Sequence, residues 1–221
     1  MRSALKDFAL AVLLVALCAL AALLPPLAQA QAQASAAPSA NAPQSTPQAA
    51  QQYRALLVRT AHMAWGLDAP IAVFAAQVHQ ESGWRPGAVS QVGAQGLAQF
   101  MPATTRWIGG IDPALESRQP YSPAWALRAL VTYDLWLFER TPPQYGAFDR
   151  MWVALRAYNG GLGHWQREAA NTGLAQPTRA QVDAACGSAR RAAVHCRENL
   201  GYPQRILVLI QPRYAAWGPG V

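Results

Sequence analysis

From Gln51 to the C-terminus the apolar residues return at spacings of three and four, and nowhere do they alternate over a useful length. That pattern predicts a mainly α fold in which irregular loops form a cleft. Tyr53, Leu56, Leu57 and Met63 mark a first helix ending near Gly66. Ile71, Phe74 and Val78 line a second, with Asp68 suited to cap it, Pro70 to its first turn and Gly83 to its end. The stretch "LAQFMPATTRWIGG" restarts a helix, with Pro102 early in a turn and Gly109 and Gly110 closing it. Ser122 and Pro123 open a strong helix to about Arg140. Asp149 to Tyr158 forms another, stopped by "NGGLG". His164 to Asn171 is short and capped by Gly173, and Pro203 starts a last helix with Ile206, Leu207, Leu209 and Ile210.

The core must come from these helices, because residues 31–50 carry no charge and no large apolar side chain. They read as a flexible linker. Residues 1–30 read as a bacterial secretory signal. Arg2 and Lys6 precede an uncharged apolar stretch from Phe8 to Leu24, Pro25 and Pro26 break it, and Ala28-x-Ala30 offers a cleavage site. An uncleaved anchor is the alternative, although the run is slightly short for a spanning helix. Cys18 follows Leu17, where lipid attachment wants a small residue, so no lipoprotein is read. The expected organisation is a signal over 1–30, a linker over 31–50, a catalytic domain over 51–170 and an extension over 171–221.

Cleavage would remove Cys18 and leave Cys186 and Cys196, which in an exported protein pair most simply as a disulfide, two free thiols being the alternative. No Cys/His cluster has metal-ligand spacing, so neither a metal nor a cofactor is expected. The formal charge of +7 falls to +6 without Arg2, Lys6 and Asp7, two cations and one anion fewer. A basic chain favours an anionic partner such as a wall polymer, nucleic acid or membrane surface; plain solubility explains the charge equally well.

Within the second helix, Glu81 lies seven residues after Phe74, near the same meridian, and so borders the buried face. A glutamate there is either an ordinary surface residue near a helix end or a half-desolvated carboxyl kept protonated near neutral pH, as a general acid requires. Two further segments stand out, "SQVGAQGLAQFMP" (90–102) and "RAYNGG" (156–161). Gly93 and Gly96 suit tight turns. Gln99 is a candidate hydrogen-bonding group in a cleft or an exposed side chain. Tyr158 and Asn159 end a helix at a double glycine; they can face the same place, or serve as a core tyrosine and an ordinary C-terminal cap.

Taken in order, "ES" (81–82), "SQVGAQGLAQFMP" and "AYNGG" resemble the catalytic domain of the soluble lytic transglycosylases, relatives of the goose-type lysozymes. The resemblance covers roughly residues 55–170, with Ala98 departing from a frequent methionine. It implies a lysozyme-like helical domain that cleaves the β-1,4 bond between N-acetylmuramic acid and N-acetylglucosamine in peptidoglycan, leaving 1,6-anhydro ends. Glu81 is then the catalytic acid and Ser90 the contact to the N-acetyl group. Gln99 and Met101 line the cleft, Tyr158 orients the glutamate and Asn159 is a polar group on the substrate side. Ser82 takes a structural role at the helix end. Trp84 and Trp107 either stack on sugars or pack in the core.

None of the three motifs supplies the second carboxylate that ordinary glycosidases need. A hydrolytic lysozyme on the same fold is the competing reading, and a non-enzymatic wall-binding or assembly protein is a more distant one. The expected partner is the glycan strand of peptidoglycan in the periplasm, with no nucleic acid, and a membrane only if the N-terminal segment is retained. The extension 171–221 has no assigned role in this reading, and no secretion or phage-lysis partner is read from it.

Overall fold

A computed structural model describes residues 45–189 and 192–221. The segment expected as a signal, residues 1–30, and residues 31–44 of the expected linker lie outside the described residues. Gln48–Gln51, spanning the end of the stretch expected as a flexible linker over 31–50, is instead a single helical turn with Ala50 buried. The rest is mainly helical, and among the described residues only isolated bridges, Val89 with Gln95 and Gln95 with Phe100, have β geometry. No helix there is long and apolar enough to cross a membrane.

The centre of the fold is the helix Ile71–Ser82. It was expected to bury one face, yet every residue from Ile71 to Val78 is buried. Three of these are alanines, Ala72, Ala75 and Ala76, whose small side chains let other segments approach on all sides. Arg54–Trp65 packs on one side. The C-terminal stretch, π-helical over Gln204–Ile210 and 3₁₀ over Gln211–Trp217, wraps the other. Its end is tied down where the Ala72 amide donates to the Pro219 carbonyl at 2.9 Å. Trp84 is 1% exposed and donates to the Tyr214 hydroxyl at 2.7 Å, so it packs in the core. Asp68 makes no cap contact; Pro70 occupies the N-cap position. Met63 is 80% exposed and contributes nothing to its helix's buried side.

Pro123–Phe138 packs against Arg54–Trp65 and against Ala147–Gly160. Leu162–Asn171 follows directly. The extension differs most from expectation. Arg179–Ala184 is a helix closed at its start by a Thr178/Gln181 capping box. Ala193–Pro203 is a second helix, packed on Ala147–Gly160. Pro203 therefore ends a helix where it was expected to start one. Its ring lacks an N–H and crowds the preceding turn, so regular α geometry stops there and π geometry takes over. Cys186 and Cys196 are joined as a disulfide across this extension.

Candidate active site

Glu81 sits in the last turn of Ile71–Ser82, one residue before Ser82, whose hydroxyl donates back to the Val78 carbonyl at 3.3 Å. Gly83 follows in the left-handed conformation, φ 58°, and stops the helix. The chain then loops through residues 84–101 over the open side of Glu81. This loop holds its shape through backbone constraints. The Gly96 Cα faces the Pro120 carbonyl, and any Cβ there would meet that oxygen at 1.8 Å with φ already at +75°. Gln99 is itself left-handed, φ 48°, an uncommon state for a residue other than glycine. Its side-chain amide donates to the carbonyls of Gly96 at 2.9 Å and Ala88 at 3.2 Å, which fixes the turn.

These elements enclose a cavity of about 400 Å³. All six residues expected at the site line it: Glu81, Ser90, Gln99, Met101, Tyr158 and Asn159. Thr104, Phe100, Tyr133 and Glu198 complete the polar and aromatic wall. The Ser90 hydroxyl oxygen accepts the Ala94 amide at 3.0 Å, which leaves its own proton to donate elsewhere. A larger groove of about 540 Å³, between Arg54–Trp65 and Pro123–Phe138, contains Met63, Trp136 and the Asp112–Arg128 pair but none of the motif residues. Trp107 stands outside the cavity, 44% exposed and edge-on to Tyr133 and Trp136. Among the described residues no cluster of His, Cys, Asp and Glu could hold a metal ion.

Burial raises the Glu81 carboxyl from 4.5 to about 7. A hydrogen bond from Tyr202 and the charge of Arg205 oppose that rise, and the charge of Glu198 adds to it. The group is therefore substantially protonated near neutral pH and loses its proton easily above it.

The orienting tyrosine is not Tyr158. The Tyr158 hydroxyl donates to the Ala98 carbonyl at 2.7 Å, and the hydroxyl that donates to Glu81 Oε1 belongs to Tyr202. The two rings lie parallel, centroids 6.4 Å apart. Tyr158 thus ties the 84–101 loop to Ala147–Gly160, and Tyr202 reaches the acid from Ala193–Pro203. Both phenols are raised well above 10 by burial first and the Glu81 charge second, so both remain hydrogen-bond donors.

Asn159 accepts from the Asn199 side chain at 3.1 Å. Asn199 also donates to the Arg156 carbonyl at 2.7 Å and accepts from Arg156 Nε at 3.0 Å. Arg156 is buried and further paired with Glu168 at 2.6 Å and Asp183 at 2.7 Å. The extension is therefore stitched to the helix that ends in "AYNGG". Sequence reasoning missed Glu198, Asn199 and Tyr202. The available signal was Glu198 and Tyr202 four apart, on one face of a helix; reading Pro203 as a helix start hid it.

Residues 57–179 match the family model described as "Transglycosylase SLT domain". Among curated proteins the chain is 38% identical over 92 residues to a membrane-bound lytic murein transglycosylase F of Maricaulis maris, covering 42% of this chain and 19% of that protein. It is 34% identical over 90 residues to the protein of the same name from Shewanella frigidimarina, covering 41% and 17%. The chain spans about a fifth of the length of these relatives. Among solved structures it resembles the 70 kDa soluble lytic transglycosylase SLT70 of Escherichia coli, with TM-score 0.53, 24% identity, and coverage of 76% of this chain and 25% of that one. That likeness bears on the fold, a lysozyme-like helical domain.

Proposed function

The chain belongs to the SLT transglycosylase domain family, and on that premise we propose that it is a peptidoglycan lytic transglycosylase with Glu81 as its acid. The observation that carries the proposal is the Glu81 carboxyl, raised to about 7 on the wall of a cleft that it shares with Ser90, Gln99, Tyr158 and Asn159. Protonated Glu81 gives its proton to the glycosidic oxygen, and the leaving sugar departs with the bonding electrons. The N-acetyl oxygen of the muramoyl ring, held by the Ser90 hydroxyl, shields the positive anomeric carbon. Glu81, now ionised and held by Tyr202, takes the proton of the C6 hydroxyl as that oxygen attacks, closing the 1,6-anhydro ring. The nucleophile is already tethered to the reacting carbon, so the step benefits from a high effective molarity.

Gln99, Met101, Tyr158 and Asn159 bind the glycan strand in this reading. The proposed site of action is the periplasm, on the strength of the N-terminal pattern Arg2, Lys6, Phe8–Leu24 and Ala28-x-Ala30. The extension from residue 171 belongs to the working unit rather than being an appendage, since it supplies Tyr202 and Glu198 to the cleft.

Glu198 gives the hydrolytic reading its one specific support, because it puts a second carboxyl on the same cavity wall. Digestion of purified peptidoglycan in heavy-oxygen water separates the two. Internal attack leaves anhydro-muramoyl ends without label. Label at every new muramoyl end would mean water attack and would overturn the proposal. Glu81→Gln should abolish cleavage in a folded protein, and near-normal turnover would remove Glu81 as the acid.

A further inference from the structure

Beneath the cleft, two buried polar side chains face each other across the helix pair Ile71–Ser82 and Pro123–Phe138. Gln77 and Asp134 are both fully buried, and the Gln77 amide nitrogen donates to Asp134 Oδ1 at 3.4 Å. The other oxygen of each, Gln77 Oε1 and Asp134 Oδ2, has no hydrogen-bond partner among the described residues. Among the described residues no basic side chain forms an ion pair with Asp134. A carboxylate buried this way would carry an uncompensated charge, and a glutamine oxygen would stay unsatisfied beside it. A single proton on Asp134 Oδ2 removes both problems. The acid O–H then donates to Gln77 Oε1 while the amide N–H donates to Oδ1, closing a ring of two hydrogen bonds.

We propose that Asp134 is a neutral carboxylic acid locked in this ring with Gln77, and that the ring is a positioning element that holds the Glu81 helix in register beneath the cleft. Gln77 lies one turn before Glu81, so the ring fixes the helix at the turn that aims the acid. Neutrality matters as much as position. The titratable groups whose charge acts at Asp134 or feels it are Glu81, Tyr158 and Tyr202 from the packed helices and Tyr133 beside it in sequence. Burial pushes Asp134 well above the usual carboxylate range and the Glu81 charge pushes it further, against the Gln77 hydrogen bond. A second negative charge here would oppose the ionisation of Glu81 at the moment that it gives up its proton. The inference rests on Glu81 being the acid, but the charge state of Asp134 is measured independently of turnover.

Carbon-13 NMR of carboxyl-labelled protein, with the Asp134 signal assigned by its loss in Asp134→Asn, reads that state directly. The signal should stay at the protonated position from about pH 5 to about pH 8. Movement through that window, or an ionised shift throughout, would overturn the proposal. Kinetics test the positioning role. Asp134→Leu removes the ring, and kcat should fall about 10- to 100-fold with KM little changed, the effect of a slightly misplaced acid. Asparagine can donate to Gln77 Oε1 and accept from its nitrogen, so Asp134→Asn should restore kcat to within about 3-fold of wild type and leave the pH profile in place. If Asp134→Leu does not fold, Gln77→Met keeps the volume and removes the amide. Loss in Asp134→Asn equal to that in Asp134→Leu, or full kcat in folded Asp134→Leu or Gln77→Met, would also overturn it. An active Glu81→Gln enzyme would instead defeat the functional reading and leave the NMR result standing.

Discussion

Tyr202 donates its hydroxyl to Glu81 Oε1 across 121 residues of chain. The acid comes from the helix at the centre of the fold, and its orienting donor from a helix beyond the residues that the family model matches. Without Ala193–Pro203 the carboxyl would lose the bond that fixes its direction and part of the wall that buries it. The bond also favours the ionised form, against the desolvation that favours the protonated one.

Tyr202→Phe separates these two roles. The phenyl ring keeps the packing against Tyr158 and removes only the donor. Turnover should fall about 10- to 100-fold, the scale of losing one hydrogen bond to a charged group. Because that bond lowers the Glu81 value, its loss raises it, and the alkaline limb of the activity profile should move to higher pH. A limb that moves to lower pH would show that Tyr202 does not act on the charged form.

The raised value of Glu81 has a signature in both activity and stability. Activity needs the protonated acid, so kcat/KM should fall as pH rises through about 7. Stability follows the same proton. Glu81 titrates near 4.5 when exposed and about 7 when folded, so between these values the folded chain binds more protons than the unfolded one. Its contribution is fully present below about 4.5 and is lost as pH rises through about 7. Glu81→Gln removes this loss. Denaturant titrations at acid and alkaline pH should show the variant gaining on wild type as pH rises, by up to about 3 kcal/mol. An equal stability difference at both pH values would mean that Glu81 is not raised in the folded state.

Arg156 carries the link between the extension and the cleft. Its three nitrogens reach Asn199 at 3.0 Å, Asp183 at 2.7 Å and Glu168 at 2.6 Å. Arg156→Met takes the cation from fully buried Glu168, while Asp183 keeps Arg179 at 2.6 Å, and should cost about 3–5 kcal/mol, read as a shifted denaturation midpoint. Arg156→Lys keeps the charge but not the planar fork, so it should recover only part of that loss. Full recovery by lysine would show that charge alone matters there.

Much of this was legible before the structure, and the failures have physical causes. Motif residues that contact a shared cleft sit at helix ends and glycine turns, where residue type reports backbone geometry directly. Glu81, Ser90, Gln99, Met101, Tyr158 and Asn159 all line one cavity. The role given to Tyr158 did not hold, because which of two parallel phenols reaches the acid depends on packing between distant helices. The helix Ala193–Pro203 was missed because no apolar stripe marks it: Asn199 bonds to Arg156 and Asn159, and Tyr202, whose ring packs on Tyr158, bonds to Glu81. Burial of the central helix on every side was equally hidden, because Ala72, Ala75 and Ala76 do not by themselves reveal that a C-terminal segment will cover them.

Ser90 tests the proposed stabilisation of the charged intermediate. Its hydroxyl oxygen already accepts the Ala94 amide, so the proton it can give is directed to another acceptor, and Ser90 lines the cleft beside Glu81. If that acceptor is the N-acetyl oxygen of the muramoyl ring, the bond strengthens as the oxygen turns toward the positive anomeric carbon. Ser90→Ala should then remove about 1–3 kcal/mol of transition-state stabilisation, or roughly 5- to 150-fold in rate. The nucleophile is still the C6 hydroxyl, so mass analysis of the released muropeptides should find anhydro ends alone. The variant also loses the acceptor for the Ala94 amide, so the melting temperature must be followed beside the rate. A rate drop with an unchanged melting temperature assigns the loss to the transition state. An unchanged rate would show that Ser90 does not hold the N-acetyl group, and reducing ends among the products would show that water rather than the C6 hydroxyl attacks in the variant.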